Sequence, residues 1–230
     1  IPTQDMIPKA CRIKSFPLVE QWKWLWIWMG DPDLADPALI PDETEIGLND
    51  PKFQIDGDVY HPVPGRYMLM HDNLMDLSHF IALHRSTIAS DSMPNAVEKT
   101  SFGENWLLTE RTLTEAPSAP FFMPVFGYSD RVDRTIIMRT HVPHLHVGMD
   151  ISVKAASAGA AAGEHLGAFR IYHAVTPGTL HTAHYFFAIG RDFAHQDQAF
   201  GKSLLDALAT TLDEDMSATR EVEKMLCALG

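Results

Sequence analysis

The densest set of chemically capable side chains is Asn73-Leu74-Met75-Asp76-Leu77-Ser78-His79-Phe80-Ile81-Ala82-Leu83-His84, which reads Asp-x2-His-x4-His. Imidazole is the commonest side-chain ligand for iron and zinc, so the pattern points to metal chemistry. Asp76 and His79 are i,i+3 neighbours on one helix face. His79 and His84 are five residues apart, which an ideal helix separates by about 140°. Both reach one metal only if the helix is distorted between them, by a π-bulge for example. The plain alternative is two ordinary histidines on a partly buried helix.

Two imidazoles leave a metal short of ligands, and the closing segment offers Asp213-Glu214-Asp215. At about 100° per residue, Leu208, Leu212, Leu205 and Met216 fall within about 120° of Leu204 and define a core-facing stripe. Asp215 falls about 20° from Leu204, inside the stripe, while Asp213 and Glu214 turn towards solvent. A lone carboxylate on an apolar stripe is costly unless it is paired or bound to a metal. The alternative is a helix that unwinds or rotates before Asp215. Two histidines with one carboxylate make the facial triad of non-haem iron(II) oxygenases, which leaves positions open for dioxygen.

The elements that must hold these residues are legible as patterns. A helix is expected over 73–84 with Asp72 as N-cap, after a short strand at 66–70. A long helix closes the chain at about 198–228. Strand patterns occupy about 96–103, 105–115, 135–142 and 145–153. A hairpin spans 167–175 and 180–189, turning at Thr176-Pro177-Gly178-Thr179. Residues 116–134, with Phe121-Phe122-Met123 and Phe126, read as an apolar loop or lid. The Ala/Gly-rich run from Lys154 to Gly163 reads as a flexible connection. Near the start, Arg12–Phe16 and Trp24–Met29 read as a hairpin turning at Gln21-Trp22-Lys23, with Trp24, Trp26 and Trp28 on one face. Residues 31–58 read as a proline-rich, acidic surface linker, which puts a domain boundary near Asp31. Strands in a run followed by a long helix mean an α+β fold with an antiparallel sheet.

Composition bounds the rest. The 230 residues carry a formal charge of −12, with 46% apolar and 21% charged residues. Such a chain builds a core, and its acidity argues against a nucleic-acid or anionic-membrane partner. Two cysteines, Cys11 and Cys227, exclude a disulfide framework, a Cys-rich zinc site and an internal iron–sulfur cluster, and read as inert thiols. No apolar run approaches the roughly 20 residues that span a bilayer, and no signal peptide is visible, so a cytoplasmic location is expected. Of the remaining histidines, His144-x-His146 puts two imidazoles on one strand face but lacks a third ligand nearby. His181 and His184 point to opposite faces and read as structural. His61, His71, His165 and His195 read as solvated.

Four stretches together carry a family resemblance. They are Val19-Glu20 through Trp26-Ile27-Trp28-Met29-Gly30-Asp31-Pro32; Asn73-Leu74-Met75-Asp76-Leu77-x-His79-x4-His84-Arg85; His184-Tyr185-Phe186-Phe187 with Arg191-x-Phe193; and Glu214-Asp215. In order and rough spacing the chain resembles the catalytic part of Rieske non-haem iron oxygenase α subunits, in the branch of vanillate O-demethylase, dicamba O-demethylase and toluenesulfonate methyl-monooxygenase. The resemblance implies a helix-grip, START-like fold: an antiparallel sheet gripping a long C-terminal helix. It implies His79, His84 and Asp215 as ligands of a mononuclear Fe(II), and Asp76 as the carboxylate that bridges electrons from a Rieske centre on a neighbouring subunit. Asn73 matches a residue near the iron, and His173 a histidine that faces substrate in some relatives. The activity implied is O2-dependent hydroxylation or O-demethylation of a small aromatic substrate. Electrons would come from NAD(P)H through a separate reductase or ferredoxin and a Rieske [2Fe–2S] cluster, in a head-to-tail homotrimer.

The chain departs from that pattern at its start. The Cys-x-His and Cys-x2-His cluster ligands are absent from this sequence. Residues 1–30 resemble only the last strands of a Rieske domain, with 31–230 as the mononuclear-iron domain. A fragment is expected, which alone binds iron(II) at best weakly and shows no NADH-driven turnover, with its tryptophan hairpin either stripped of its cover or folded back and hidden. Two rivals use the same residues: a non-catalytic START-like module holding a small molecule, and a zinc-dependent hydrolase needing neither oxygen nor electrons.

Overall fold

The computed structural model describes residues 6, 8–11, 13–141 and 144–229. The opening Ile1-Pro2-Thr3, Arg12 and Val142 lie outside the described residues. The chain divides into two compact units, Ile1–Asn49 and Asp50–Gly230.

In the first unit, β1 (Leu18–Gln21) pairs antiparallel with β2 (Trp24–Ile27), Gln21 opposite Trp24. The two-residue turn holds Trp22 and Lys23 at φ of 57° and 63°. Two successive left-handed residues match the right-handed twist of a tight hairpin. That turn fixes the register, so the partner of the tryptophan strand is Leu18–Gln21 and not the expected Arg12–Phe16, of which 13–16 form no strand. The proline-rich stretch is ordered. Asp31, Asp36 and Asp42 each accept a hydrogen bond from the backbone N–H two residues on, capping 3-10 turns at Pro32–Leu34 and Pro37–Leu39 and the short helix α1 (Glu43–Ile46). Trp22 Nε1 donates to Pro41 O at 3.1 Å and Lys23 Nζ to Leu48 O at 3.1 Å, so this stretch packs with the hairpin. Trp24, Trp26 and Trp28 are half-buried, and the exposed face is Leu25, Ile27 and Met29. The tryptophan face is thus neither bare nor hidden, between the two alternatives expected for it.

In the second unit, seven strands form one antiparallel sheet: β3 (Gln54–Val63), β4 (Val97–Phe102), β5 (Trp106–Pro117), β6 (Arg131–His141), β7 (Leu145–Lys154), β8 (His165–Thr179) and β9 (Thr182–Arg191). Their spatial order is β3-β9-β8-β7-β6-β5-β4. β6 shows the cause: Val132, Arg134, Ile136, Met138 and Thr140 alternate inward with period two. β3 replaces part of the expected linker. Asp56, Gly57 and Asp58 interrupt its apolar pattern, and the β3–β9 register shifts between Asp56 and Val59. As an edge strand it also tolerates Pro62. The β8–β9 hairpin turns at Leu180-His181, just past the expected Thr176–Thr179, because β8 runs through Pro177 with a bulge.

The helices are α2 (Tyr67–Met75), α3 (Phe80–Leu83), α4 (Phe122–Phe126) and α5 (Gln198–Leu229). Residues 66–70, expected as a strand, begin α2 instead. On α5, Leu204, Leu208, Leu212, Asp215, Met216 and Thr219 are buried at i,i+3/i+4 spacing. This stripe packs with Val63, Leu74, Phe122, Phe169, Tyr185, Phe187 and Ile189 into one core. Truncating Leu208 or Leu212 to alanine is expected to cost about 2–5 kcal/mol. Two contacts set how α5 lies. Arg191, fully buried, donates to Asp56 Oδ2 at 2.7 Å and to the carbonyls of Phe193 and Asp197 at 2.9 Å, just before the helix starts. Towards its end, Gly65 passes so close that an added Cβ would come 2.6 Å from Thr219 Cγ2.

Candidate functional site

The break between α2 and α3 builds the site. Asp76 leaves the helix at φ −93°, ψ 90°, and its Oδ1 accepts from Ser78 N at 2.9 Å. That cap starts a 3-10 turn, Leu77–His79, before α3 resumes. Aspartate favours such a cap over continued helix. The distortion between the two histidines is therefore a capped 3-10 turn and not a π-bulge, and it removes the helical separation of their side chains. His79 Nε2 lies 3.1 Å from His84 Nε2. From α5, Asp215 Oδ1 lies 3.1 Å from His84 Nε2 and 3.7 Å from His79 Nε2.

The other nitrogen of each ring is fixed. His79 Nδ1 donates to the Asp76 carbonyl at 2.5 Å, and His84 Nδ1 donates to Glu214 Oε2 at 2.8 Å. With both Nδ1 atoms protonated, neutral rings would aim their Nε2 lone pairs at each other and at a carboxylate. Three acceptors crowded in this way repel unless a proton or a metal cation sits among them. Metal–ligand bonds of about 2.1 Å give ligand edges of about 3.0 Å at 90° and about 3.6 Å at 120°. The three observed edges lie near that range, so the donor set fits a divalent ion. Burial lowers the pKa of His79, partly offset by the Asp76 carbonyl and Asp215. At His84 burial acts the same way, but Asp215 and Glu214 outweigh it and the pKa is raised.

The neighbours hold this arrangement. Asn73, on α2, donates from Nδ2 to Asp215 Oδ1 at 3.0 Å. The Asp76 carboxylate is exposed and bonded to Ser78, and its pKa is lowered by those bonds. It is not among the three converging groups. All three open onto an apolar cavity of about 100 Å³ between α2–α3, α5 and strands β6 to β9, whose walls include Phe121, Ile136, Met138 and Phe169. Asp150 also lines it, but is neutralised by Arg134 at 2.6 Å. His173 borders the cavity, its Nδ1 2.6 Å from the Tyr185 hydroxyl, and burial lowers its pKa to about 4.

Glu214 and His71 differ from their sequence reading, and Thr211 carried no signal in the sequence. Glu214, expected towards solvent, is the partner of His84; the signal was that metal-bound histidines commonly give their second N–H to a carboxylate. Thr211, one turn before Asp215, lines the cavity with a buried Oγ1 that has no hydrogen-bond partner. His71, expected to be solvated, is buried with Nδ1 2.6 Å from His146 Nε2. His146 in turn meets Thr140 Oγ1 at 2.8 Å, so it is part of a buried polar chain.

The architecture, a long antiparallel sheet gripping a C-terminal helix, is that of the catalytic domain of Rieske oxygenases. Residues 63–228 match the family model described as the vanillate O-demethylase oxygenase C-terminal domain, and the chain belongs to that family. It is 31% identical to a vanillate O-demethylase oxygenase subunit of a Pseudomonas species, over 99% of this chain and 70% of that one. It is 29% identical to a toluene-4-sulfonate monooxygenase system iron-sulfur subunit of Comamonas testosteroni, over 98% of this chain and 66% of that one. Crystal structures of dicamba monooxygenase share the fold. The complex with dicamba superimposes with a TM-score of 0.85 at 27% identity, covering 100% of this chain and 66% of that one. The chain thus spans about two thirds of the length of these relatives. No described helix is long and apolar enough to cross a membrane.

Proposed function

We propose that this chain is the catalytic domain of the terminal oxygenase component of a multicomponent monooxygenase acting on a small aromatic substrate. The observation that carries the reading is the convergence of His79 Nε2, His84 Nε2 and Asp215 Oδ1 within 3.7 Å of one another at an apolar cavity. These three would hold iron(II), which when bound supplies the reductive activation of dioxygen. The protein's own part is positioning and exclusion of water. The Asp76 carbonyl and Glu214 keep each Nδ1 protonated and each Nε2 free to bind. Asn73 orients Asp215. The apolar walls seat an aromatic ring and keep bulk water from the reacting carbon. Their volume is comparable with the roughly 150 Å³ of an apolar cavity that accepts benzene.

The reaction proposed is hydroxylation of a methyl or methoxy carbon on the ring, with O-demethylation where the hemiacetal so formed collapses. Electrons would arrive from NAD(P)H through a reductase or ferredoxin and a Rieske [2Fe–2S] centre, for which two cysteines give this chain no ligand set. Asp76 would connect that centre, on a neighbouring subunit of a trimer, to His79. Residues 1–30 are read as the last strands of a Rieske domain.

The test is anaerobic reconstitution with Fe(II), followed by NADH-driven turnover in an oxygenase that carries a Rieske domain ahead of this one. One iron per chain, lost in His84→Ala and Asp215→Ala, together with O2-dependent product is the expected result. Iron-free binding of an aromatic ligand would replace this reading with a binding module. Ester or amide cleavage with zinc and without oxygen would replace it with a hydrolase.

A further inference from the structure

We propose that His181, Glu223 and Cys227 form a second metal site, distinct from the His79–His84–Asp215 centre, that takes a borderline divalent cation of the zinc class. The site is independent of the oxygenase reading. His181 stands on the β8–β9 turn; Glu223 and Cys227 are one helical turn apart on one face of α5. The three donor atoms lie within 4.8 Å of one another.

The geometry is that of a tetrahedral face. His181 Nδ1 is 2.7 Å from Glu223 Oε1, Cys227 Sγ is 3.3 Å from the same oxygen, and Sγ is 3.6 Å from Nδ1. Zinc bond lengths at tetrahedral angles give edges of about 3.3 Å for N–O, about 3.5 Å for O–S and about 3.6 Å for N–S. Two edges already match, and the third opens when the His181–Glu223 hydrogen bond is exchanged for metal bonds. His181 and Cys227 are exposed, so an ion and its completing water can enter, while Glu223 is buried and pre-oriented. Its orientation comes from Arg66, whose backbone N and Nε donate to Oε2 at 3.0 and 2.8 Å. Arg66 also reaches Oε1 from Nη2 at 3.0 Å, and its charge holds the affinity below that of a site without a neighbouring cation.

Donor type selects the ion. A thiolate, an imidazole and one carboxylate suit zinc and its borderline neighbours over magnesium or calcium, which prefer all-oxygen shells. Binding replaces the S–H bond by an S–metal bond and releases that proton to solvent, while His181 moves its ring proton from Nδ1 to Nε2 and gives the Nδ1 lone pair to the metal. The Glu223 carboxylate and burial raise the Cys227 pKa, so uptake falls as pH drops. Occupancy would tie the β8–β9 turn to the end of α5, the helix that carries Asp215 two turns earlier.

The experiment uses Co2+ as the probe on the 230-residue chain carrying Cys11→Ser, which leaves Cys227 as the single thiol. A thiolate-to-cobalt charge-transfer band that saturates at one equivalent is expected, since the first centre holds no sulfur. The band should vanish in Cys227→Ala, weaken in affinity by at least about tenfold in His181→Ala, and survive in His79→Ala. In the His79→Ala background, Zn2+ should raise the melting temperature with Cys227 present and leave it unchanged with Cys227→Ala. No band, or a band indifferent to His181→Ala, overturns the site and leaves the three as a hydrogen-bonded clamp between turn and helix.

Discussion

His84 Nδ1 and Glu214 Oε2, 130 residues apart in sequence, lie 2.8 Å from each other, and this contact decides which nitrogen of His84 faces Asp215. A neutral imidazole has one N–H and one lone pair. Glu214 takes the N–H, so the lone pair points to the common centre. Adjacent residues of α5 therefore serve one histidine from two sides.

Glu214→Ala is expected to weaken iron(II) binding by about 10–100-fold while the fold persists, and Glu214→Gln, which can still accept the Nδ1–H, to restore most of it. Competition with a chromophoric Fe(II) chelator measures this. Equal affinity in all three proteins would remove Glu214 from the site.

Asp76 contributes its carbonyl to His79 and its carboxylate to Ser78. Asp76→Asn keeps an oxygen for the Ser78 cap and leaves the carbonyl in place. Iron content should stay at the wild-type level, while NADH-driven turnover of the Rieske-containing protein falls by about tenfold or more. Undiminished product formation would end the proposed electron-bridging role.

Acid stability follows from buried neutral imidazoles. Burial lowers the pKa of His141, His144 and His173 to about 4, with the charges of Arg139 and His141 adding to the effect at the first two. The unfolded chain takes up these protons near pH 6.5, and the folded chain resists down to about 4. Their contribution is therefore complete above about pH 6.5 and declines as pH falls towards 4. Chemical denaturation midpoints across that window should drop steadily. In His141→Gln the slope should be shallower.

Much of the sheet and all of α5 could be read in advance, because alternation in 131–141 and 145–154 and the Leu204–Met216 stripe are direct prints of one buried face. The convergence of Asp215 on His79 and His84 was legible for the same reason: Asp215 is the one carboxylate of its trio on the apolar stripe. What stayed hidden depends on single backbone turns or on distant partners. The Asp76 cap re-aims His79 without altering the residue pattern. The positive φ of Trp22 and Lys23 chooses the strand that pairs with Trp24–Ile27, although neither residue favours that conformation. Pairing with His146, from a strand 75 residues away, buries His71 where its own neighbourhood suggests solvent.

The first unit's hairpin shows water its aliphatic face. Leu25, Ile27 and Met29 are 68%, 48% and 60% exposed, whereas the indole N–H groups of Trp26 and Trp28 are tied to Gln21 O at 2.9 Å and Asp31 O at 2.7 Å. Aqueous quencher should therefore reach the tryptophans only partially. An exposed apolar face drives association, so Leu25→Ser with Ile27→Thr should shift this chain towards monomer in sedimentation. An unchanged distribution would mean that the face does not mediate contacts.

Thr211 is a hydroxyl in an apolar wall. Its Oγ1 is buried and unpartnered, one helical turn from Asp215, at the cavity. A buried hydroxyl without a partner costs about 1–3 kcal/mol, so such a group persists only where something else repays it. Under the proposed function, a polar atom on the substrate would do so by completing the missing hydrogen bond. Thr211→Val keeps the shape and deletes the hydroxyl. Without substrate the variant should be as stable as wild type or more so by thermal melting. With a substrate bearing a polar ring substituent its KM should rise by about tenfold, the equivalent of one hydrogen bond of about 1.4 kcal/mol, with kcat little changed. A loss of stability in Thr211→Val, with KM unaltered, would instead make the hydroxyl a structural group.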